Sequence, residues 1–200
     1  EDFIGGFAPR VGKKHVRVIA IVGFPASSSP EFLAFLDTLA LEFRWSNRFI
    51  CLDPHTAERE LKKYRRHWFQ KRHGLISFIK ESFNIEGQTF LNQDALAMAD
   101  DADEALSEAS SGGVRFGYYT SVLVLFDENK ERISENARVV VKHLQHRGFA
   151  ARSEQINAVE AYLGSLPGHG YQNVRRPLIH TLNLADLLPL TSVWPGLENN

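Results

Sequence analysis

"VIAIVGFPASSSPEF", residues 18–32, runs from apolar, β-branched residues into Gly23, then a serine-rich turn and a proline. The run it overlaps, "HVRVIAIVGF" (15–24), is mainly apolar and β-branched and predicts a buried strand. Strand, glycine turn and helix is also how phosphate cradles are built. A P-loop, however, needs a second glycine followed by Lys-Ser/Thr so that backbone amides and an ammonium converge on the phosphate. Here Ser28 and Ser29 stand where that glycine and lysine belong, and Pro25 removes an amide. The turn is therefore read as a strand end and a helix start. Ser29 is the expected cap, Pro30 the first helical residue and Glu31 a partner for the helix dipole.

Working outward, "FLAFLDTLALEF" predicts that this helix continues to Phe43, and "RFICL" (48–52) predicts a second strand. Asp53 and Pro54 open a long helix, "HTAERELKKYRRHWFQKRH", and "TFLNQDALAMADDADEALSEAS" (89–110) predicts another, ended by Gly112 and Gly113. "RFGYYTSVLVLF" (115–126) predicts a third strand. Asn129 caps "KERISENARVVVKHLQHR", and Gly148 closes that helix. "FAARSEQI" predicts a weaker fourth strand, and Asn157 and Glu160 have capping-box-like spacing before "AVEAYLGSL".

This order predicts an α+β fold: a ferredoxin-like antiparallel sheet with helices on one face and an inserted long helical hairpin. A doubly wound parallel sheet is the competing arrangement. The expected divisions are a first strand–helix–strand unit (1–53), the hairpin (54–113), a second such unit (114–168) and an irregular tail (169–200) of short turns.

Composition narrows the function. Two hundred residues, a net charge of −1 and 44% hydrophobic content suit a globular domain and give no reason to expect wholesale nucleic-acid binding. The single cysteine, Cys51, excludes a disulfide framework and points to a reducing compartment. No apolar run reaches a membrane-spanning length. The chain starts at Glu1, with Met98 its only methionine, and reads as a piece of something longer.

Catalytic patterns are absent from the sequence. "YLGSLPGHGY" (162–171) is not a nucleophile elbow, because Ser165 directly follows Gly164. Eight histidines include the pair His143 and His146, but no H-E-x-x-H or cysteine pair accompanies them. The first hairpin helix carries Arg59, Lys62, Lys63, Arg65, Arg66, Lys71 and Arg72, with Leu61, Tyr64, Trp68 and Leu75 near one stripe. Those cations and aromatics would suit a nucleic-acid arm. The acidic second helix (Asp94, Asp100, Asp101, Asp103, Glu104, Glu108) instead favours two helices with complementary charge.

Several strings together resemble a known family. "ELKKYRRHWFQKRHGL", "DADEAL", "VRFGYYTSVLVLFDE" and above all "YLGSLPGHGYQNVRRPL" resemble the amino-terminal region of the TrbE/CagE/VirB-type ATPases of conjugal transfer and type IV secretion. The resemblance covers nearly the whole chain. It implies a cytoplasmic ATPase, peripheral to the inner membrane, that energises pilus assembly or substrate export. Walker motifs are expected downstream of "TSVWPG", so ATP and magnesium belong to the parent protein and no cofactor to this stretch. The expectation is a non-catalytic assembly and docking module, with no catalytic and no metal-binding residues of its own. Its implied partners are its own ATPase domain, other subunits of the ATPase oligomer and inner-membrane secretion components. A stand-alone nucleic-acid-binding domain using helix 59–72 is the alternative. Candidate interface residues are Tyr171, Arg175 and Arg176, late in the chain in a glycine-rich, close-approach segment, and Arg65, Arg66 and Trp68 on the basic helix.

Overall fold

The computed structural model describes residues 2–25, 28–63, 105, 107, 112–169, 171–172 and 175–188. The chain divides into two compact units, Glu1–Ile50 with Tyr118–Asn200, and Cys51–Gly117. The fold is α+β, built on an open antiparallel sheet.

The strands are β1 (Phe3–Ile4), β2 (Arg10–Val11), β3 (Lys14–Gly23), β4 (Phe43–Cys51), β5 (Phe116–Asp127), β6 (Ala150–Ser153) and β7 (Leu178–His180). They run in the order β1-β2-β3-β5-β4, with β6 also on β3 and β7 on β5. β3 and β5 pair antiparallel from His15↔Asp127 to Ile21↔Ser121. β6 pairs antiparallel with β3, with Ile19 opposite Ser153, and the register shifts between Ile21 and Gly23. A Cβ on Gly23 would sit 3.0 Å from the Ala150 side chain, so the glycine lets β6 approach at this bulge.

Helices lie on both faces, not on one as the sequence reading expected. Helix α1 (Lys130–His146) buries Ile133, Ala137, Val140 and Leu144. These pack with Ile19, Ile21, Leu123 and Leu125 in the larger core. Helix α2 (Ala158–Gly164) sets Ala161 and Tyr162 against Val16, Val18, Ala20, Val122 and Val124 on the other side. The cause is in the central strands. β3 and β5 are apolar at consecutive positions, so each sheet face needs its own cover.

Helix α1 follows its sequence signals. The Asn129 side chain accepts from the Arg132 amide at 2.8 Å, and Gly148 takes φ +84° just beyond the helix end. Arg132 also grips Asp127 through Nε at 2.6 Å and Nη2 at 2.7 Å, which with the Asn129 amide holds that carboxyl down at about 2.

The first helix is a correction. Residues 30–33 form turns, Glu31 sits at φ +63°, and only a 3-10 turn, Ala34–Thr38, follows. No side chain caps that turn, so the Ser29 cap is not realised. Instead Ser28 Oγ donates to Asp186 and accepts from Asn183 Nδ2 at 3.0 Å. The Phe32 amide donates to the Asp186 carbonyl at 3.3 Å. Both partners lie on helix α3 (Thr181–Leu187). Tertiary anchoring of Leu33 and Leu36 in the larger core outweighs the helical pattern. β4 consequently starts at Phe43, five residues before the expected Arg48. Likewise, the Asn157 side chain makes no capping bond at α2. In the segment expected to hold short turns, β7 and α3 are regular elements.

The larger core encloses a polar network. Trp45 Nε1 donates to Ser121 Oγ at 2.8 Å. Ser121 Oγ and Tyr119 Oη both donate to Asn47 Oδ1, at 3.0 and 2.6 Å. Tyr119 is 0% exposed, and burial pushes its hydroxyl up to about 12 from the ordinary 10.0. The phenolate is thus disfavoured in the folded chain, so stability is flat below pH 10 and falls as pH rises from about 10 to about 12. The fall expected from this group is roughly 2–3 kcal/mol. Denaturant titrations across that range should show it, and Tyr119→Phe should flatten the slope. An unchanged slope would remove Tyr119 as its source.

In the second unit, Asp53 Oδ1 accepts from the Thr56 amide at 3.0 Å and opens the helical residues 54–63. The remainder of the expected hairpin lies almost wholly outside the described residues.

Candidate functional site

The segment "GSLPGHGYQNVRRP" starts at Gly164, the last residue of α2, and ends at Pro177, just before β7. Its backbone is held from beneath by β4. Arg48 lies on an even position of β4, so its side chain points to the α2 face. Its guanidinium donates to three carbonyls: Gln172 at 2.9 Å, Gly164 at 2.7 Å and His169. Five guanidinium N–H groups in a rigid fork make such multiple capture possible, where an ammonium could not reproduce it.

Gly164 is required by the same geometry. A Cβ there would lie 2.5 Å from the Gln172 carbonyl oxygen, which is backbone and cannot swing aside. Gly168, at φ +78°, turns the chain back. His169 Nε2 and Gln172 Oε1 close the loop across its mouth. Arg44, two turns of the pleat before Arg48, donates to Ser165 Oγ at 2.6 Å and lies over the rings of Phe126 and Tyr162 at 5.8 and 5.5 Å.

The far end of the loop is held by a buried ion pair. Glu154 is only 2% exposed. Arg175 Nε and Nη2 reach its two carboxylate oxygens at 2.9 and 3.2 Å, a bidentate fork. Arg152 adds a longer contact at 3.5 Å. Thr120 Oγ1 donates to the Arg175 carbonyl, and the Tyr119 amide donates to Pro177 at 2.9 Å. Arg176 lies over the Tyr118 ring at 5.9 Å.

Of the sequence-derived candidates, Tyr171 stands out in solvent, 94% exposed, at the tip of this clamped loop. Arg175 faces inward onto Glu154 and Arg176 rests on Tyr118. Arg65, Arg66 and Trp68 lie outside the described residues. Where the basic helix is described, its lysines already have acidic neighbours, Lys62 with Glu58 and Lys63 with Glu60. The sequence reading missed Arg48, Arg44 and Glu154. The alternation Phe43, Trp45, Asn47, Phe49 against Arg44, Ser46, Arg48 was the available signal for two arginines on one strand face.

No described cavity suits a substrate beneath the loop. The space lined by Arg48, Gly164, Gln172 and Arg175 is about 10 Å³, room for one water. Among the described residues, no three His, Cys, Asp or Glu side chains are placed to hold a metal ion. Nor is any described helix long and apolar enough to cross a membrane. The turn after β3 carries the Asp186 carboxylate on Ser28, the wrong charge to greet a phosphate.

Residues 30–175 match the CagE, TrbE, VirB family, a component of the type IV transporter system, and the chain belongs to that family. It is 44% identical over 191 residues to a probable conjugal transfer protein TrbE of Sinorhizobium fredii (strain NBRC 101917 / NGR234), covering 96% of this chain and 28% of the relative. It is also 44% identical to the conjugal transfer protein TrbE of Rhizobium radiobacter, over 96% of this chain and 23% of that protein. The chain thus spans about a quarter of the length of these curated relatives.

Proposed function

We propose that this chain is the non-catalytic amino-terminal assembly and docking module of a conjugal transfer ATPase, and that Tyr171 is its contact point. The observation that carries the reading is the pairing of opposites in one loop. The backbone is pinned by Arg48 and by Glu154–Arg175, while the aromatic at its tip is 94% exposed. A pre-ordered loop loses little entropy on binding, and tyrosine is enriched among residues that dominate interface energies. The relatives' role in conjugal transfer supports a partner within such a machine: the ATPase domain of the parent, neighbouring subunits of its oligomer, or inner-membrane components. ATP and magnesium are assigned to the parent's remaining length, and the whole protein to the cytoplasmic side of the inner membrane. The antiparallel order β6-β3-β5-β4 supports reading the central sheet as ferredoxin-like, with α2 added on the second face; the helical hairpin that the sequence pattern expects at 54–113 would complete that proposed fold.

Tyr171→Ala in the full-length parent is expected to lower conjugative transfer at least tenfold, since truncating an interface hot spot costs about 2 kcal/mol or more. The same change in this chain should leave its melting temperature unmoved, because nothing buried is lost. Unimpaired transfer would sink the docking role. The chain by itself should show no ATP turnover above a blank, and robust hydrolysis would overturn its non-catalytic assignment.

A further inference from the structure

We propose that the outer edge of β4 pairs antiparallel with β4 of a second copy of this chain, about a two-fold axis at Asn47.

β4 ends the sheet order, and among the described residues no strand lies beyond it. Its hydrogen bonding to β5 sets which backbone groups face outward. The Phe126 amide donates to Glu42 and the Leu52 amide to Phe116, one constant register at both ends of the strand. Even-numbered residues therefore face β5 with their N–H and C=O groups. Those of Phe43, Trp45, Asn47, Phe49 and Cys51 face outward.

Natural edge strands are usually blunted by bulges, prolines or free charges. β4 has no proline and no lysine, and its register shows no bulge. Its two arginines do not guard the edge, because both are drawn off it. Arg48 is spent on loop carbonyls, and Arg44 lies on Ser165 and two rings. What remains is a nine-residue strand whose outward backbone groups, at Phe43, Trp45, Asn47, Phe49 and Cys51, meet no further strand among the described residues.

A two-fold axis allows only registers that bring outward groups to outward groups. The axis must then fall on a residue and not between two, and Asn47, the midpoint of β4, gives the longest overlap. In that register Trp45 faces Phe49 of the second copy and Phe49 faces its Trp45, on the core side of the sheet. Aromatic pairs at such positions are favourable. On the other side Arg44 meets Ile50, which is 42% exposed in this chain, and Ser46 meets Arg48. No two arginines stand directly opposite. Up to about ten backbone hydrogen bonds would form.

The register also puts Phe43 of one copy opposite Cys51 of the other, whereas within one chain they are strand ends roughly 26 Å apart. Phe43→Cys in this chain, treated with diamide to accept the two thiol hydrogens, is expected to convert most of the protein to a disulfide-linked dimer. Adding Cys51→Ser should cut that yield at least tenfold. A dimer that survives Cys51→Ser, or one formed equally by the unsubstituted chain, would mean a different register and overturn the proposal. Should Phe43→Cys fail to fold, sedimentation of the unsubstituted chain decides. A mass of 22.6 kDa up to about 100 µM would rule the pairing out. The pairing deepens the assembly reading without sharing its fate. Cross-linking in this chain tests β4, and transfer by the Tyr171→Ala parent tests docking.

Discussion

Arg175→Ala is expected to lower the stability of this chain by about 3 kcal/mol, the cost of leaving a buried carboxylate without its partner. For a domain of this size that is a melting-temperature drop on the order of 6–12 °C. The direction follows from burial. Glu154 is 2% exposed and takes both Arg175 nitrogens, so removing the guanidinium strands a charge in a low-dielectric site. Arg175 itself retains 27% side-chain exposure, and Arg152 offers a longer contact at 3.5 Å. Both soften the loss and place it at the low end of what breaking a buried pair costs. Arg175→Ala combined with Glu154→Gln should recover part of the stability, because a neutral amide is cheaper to bury than a carboxylate. Differential scanning calorimetry on the two variants reads this directly. If Arg175→Ala alone melts within about 2 °C of the unsubstituted chain, the pair is not holding the loop. An inward-facing Arg175 also means that its substitution cannot report on docking. Any loss of transfer it causes would pass through the fold.

Arg48→Met is expected to cost about 2–4 kcal/mol. The change keeps the aliphatic stem and deletes the fork. It leaves the carbonyls of Gly164, His169 and Gln172 to find water or go unpaired, at about 1–3 kcal/mol for each that stays buried. Arg48→Lys should recover less than half of the loss, because one ammonium cannot meet the same fork geometry. A second readout separates this loop effect from a general core defect. Gly164→Ala strains the same backbone by driving a Cβ to 2.5 Å from the Gln172 oxygen. With the clamp already gone, that strain can relax, so the two losses should add to less than their sum. Full additivity in urea unfolding would mean that Arg48 and Gly164 hold different things. In the parent, Arg48→Met should also mimic some of the Tyr171→Ala defect in transfer, since it loosens the loop that presents the tyrosine.

Local chemistry and local periodicity were legible along the chain. "HVRVIAIVGF" is a strand because consecutive β-branched residues suit a sheet buried on both sides. Asn129 and Gly148 bound α1 because a side-chain oxygen and a left-handed glycine answer backbone groups only a few residues away. The order of unusual strings around "YLGSLPGHGYQNVRRPL" carried the family resemblance without any contact being known. The two-sided cover of the sheet was also implicit in that apolar run, although it was read as a single helical layer.

What required the folded chain is everything that joins distant positions. "FLAFLDTLALEF" has helical spacing, yet burial of Leu33 and Leu36 and the bonds of Ser28 and Phe32 to Asp186 bend it into a 3-10 turn. The short helix that supplies Asp186 lies more than 140 residues downstream. Arg175 looked like a surface hot spot because its partner, Glu154, is twenty-one positions away and buried only once β6 pairs with β3. Arg48 carried no signal at all as a loop clamp, since its acceptors are plain backbone carbonyls 116 to 124 positions on, and every residue has one. Residue type announces propensity and caps, whose partners lie within a turn. It is silent on pairings whose partners are brought together by the closing of the sheet.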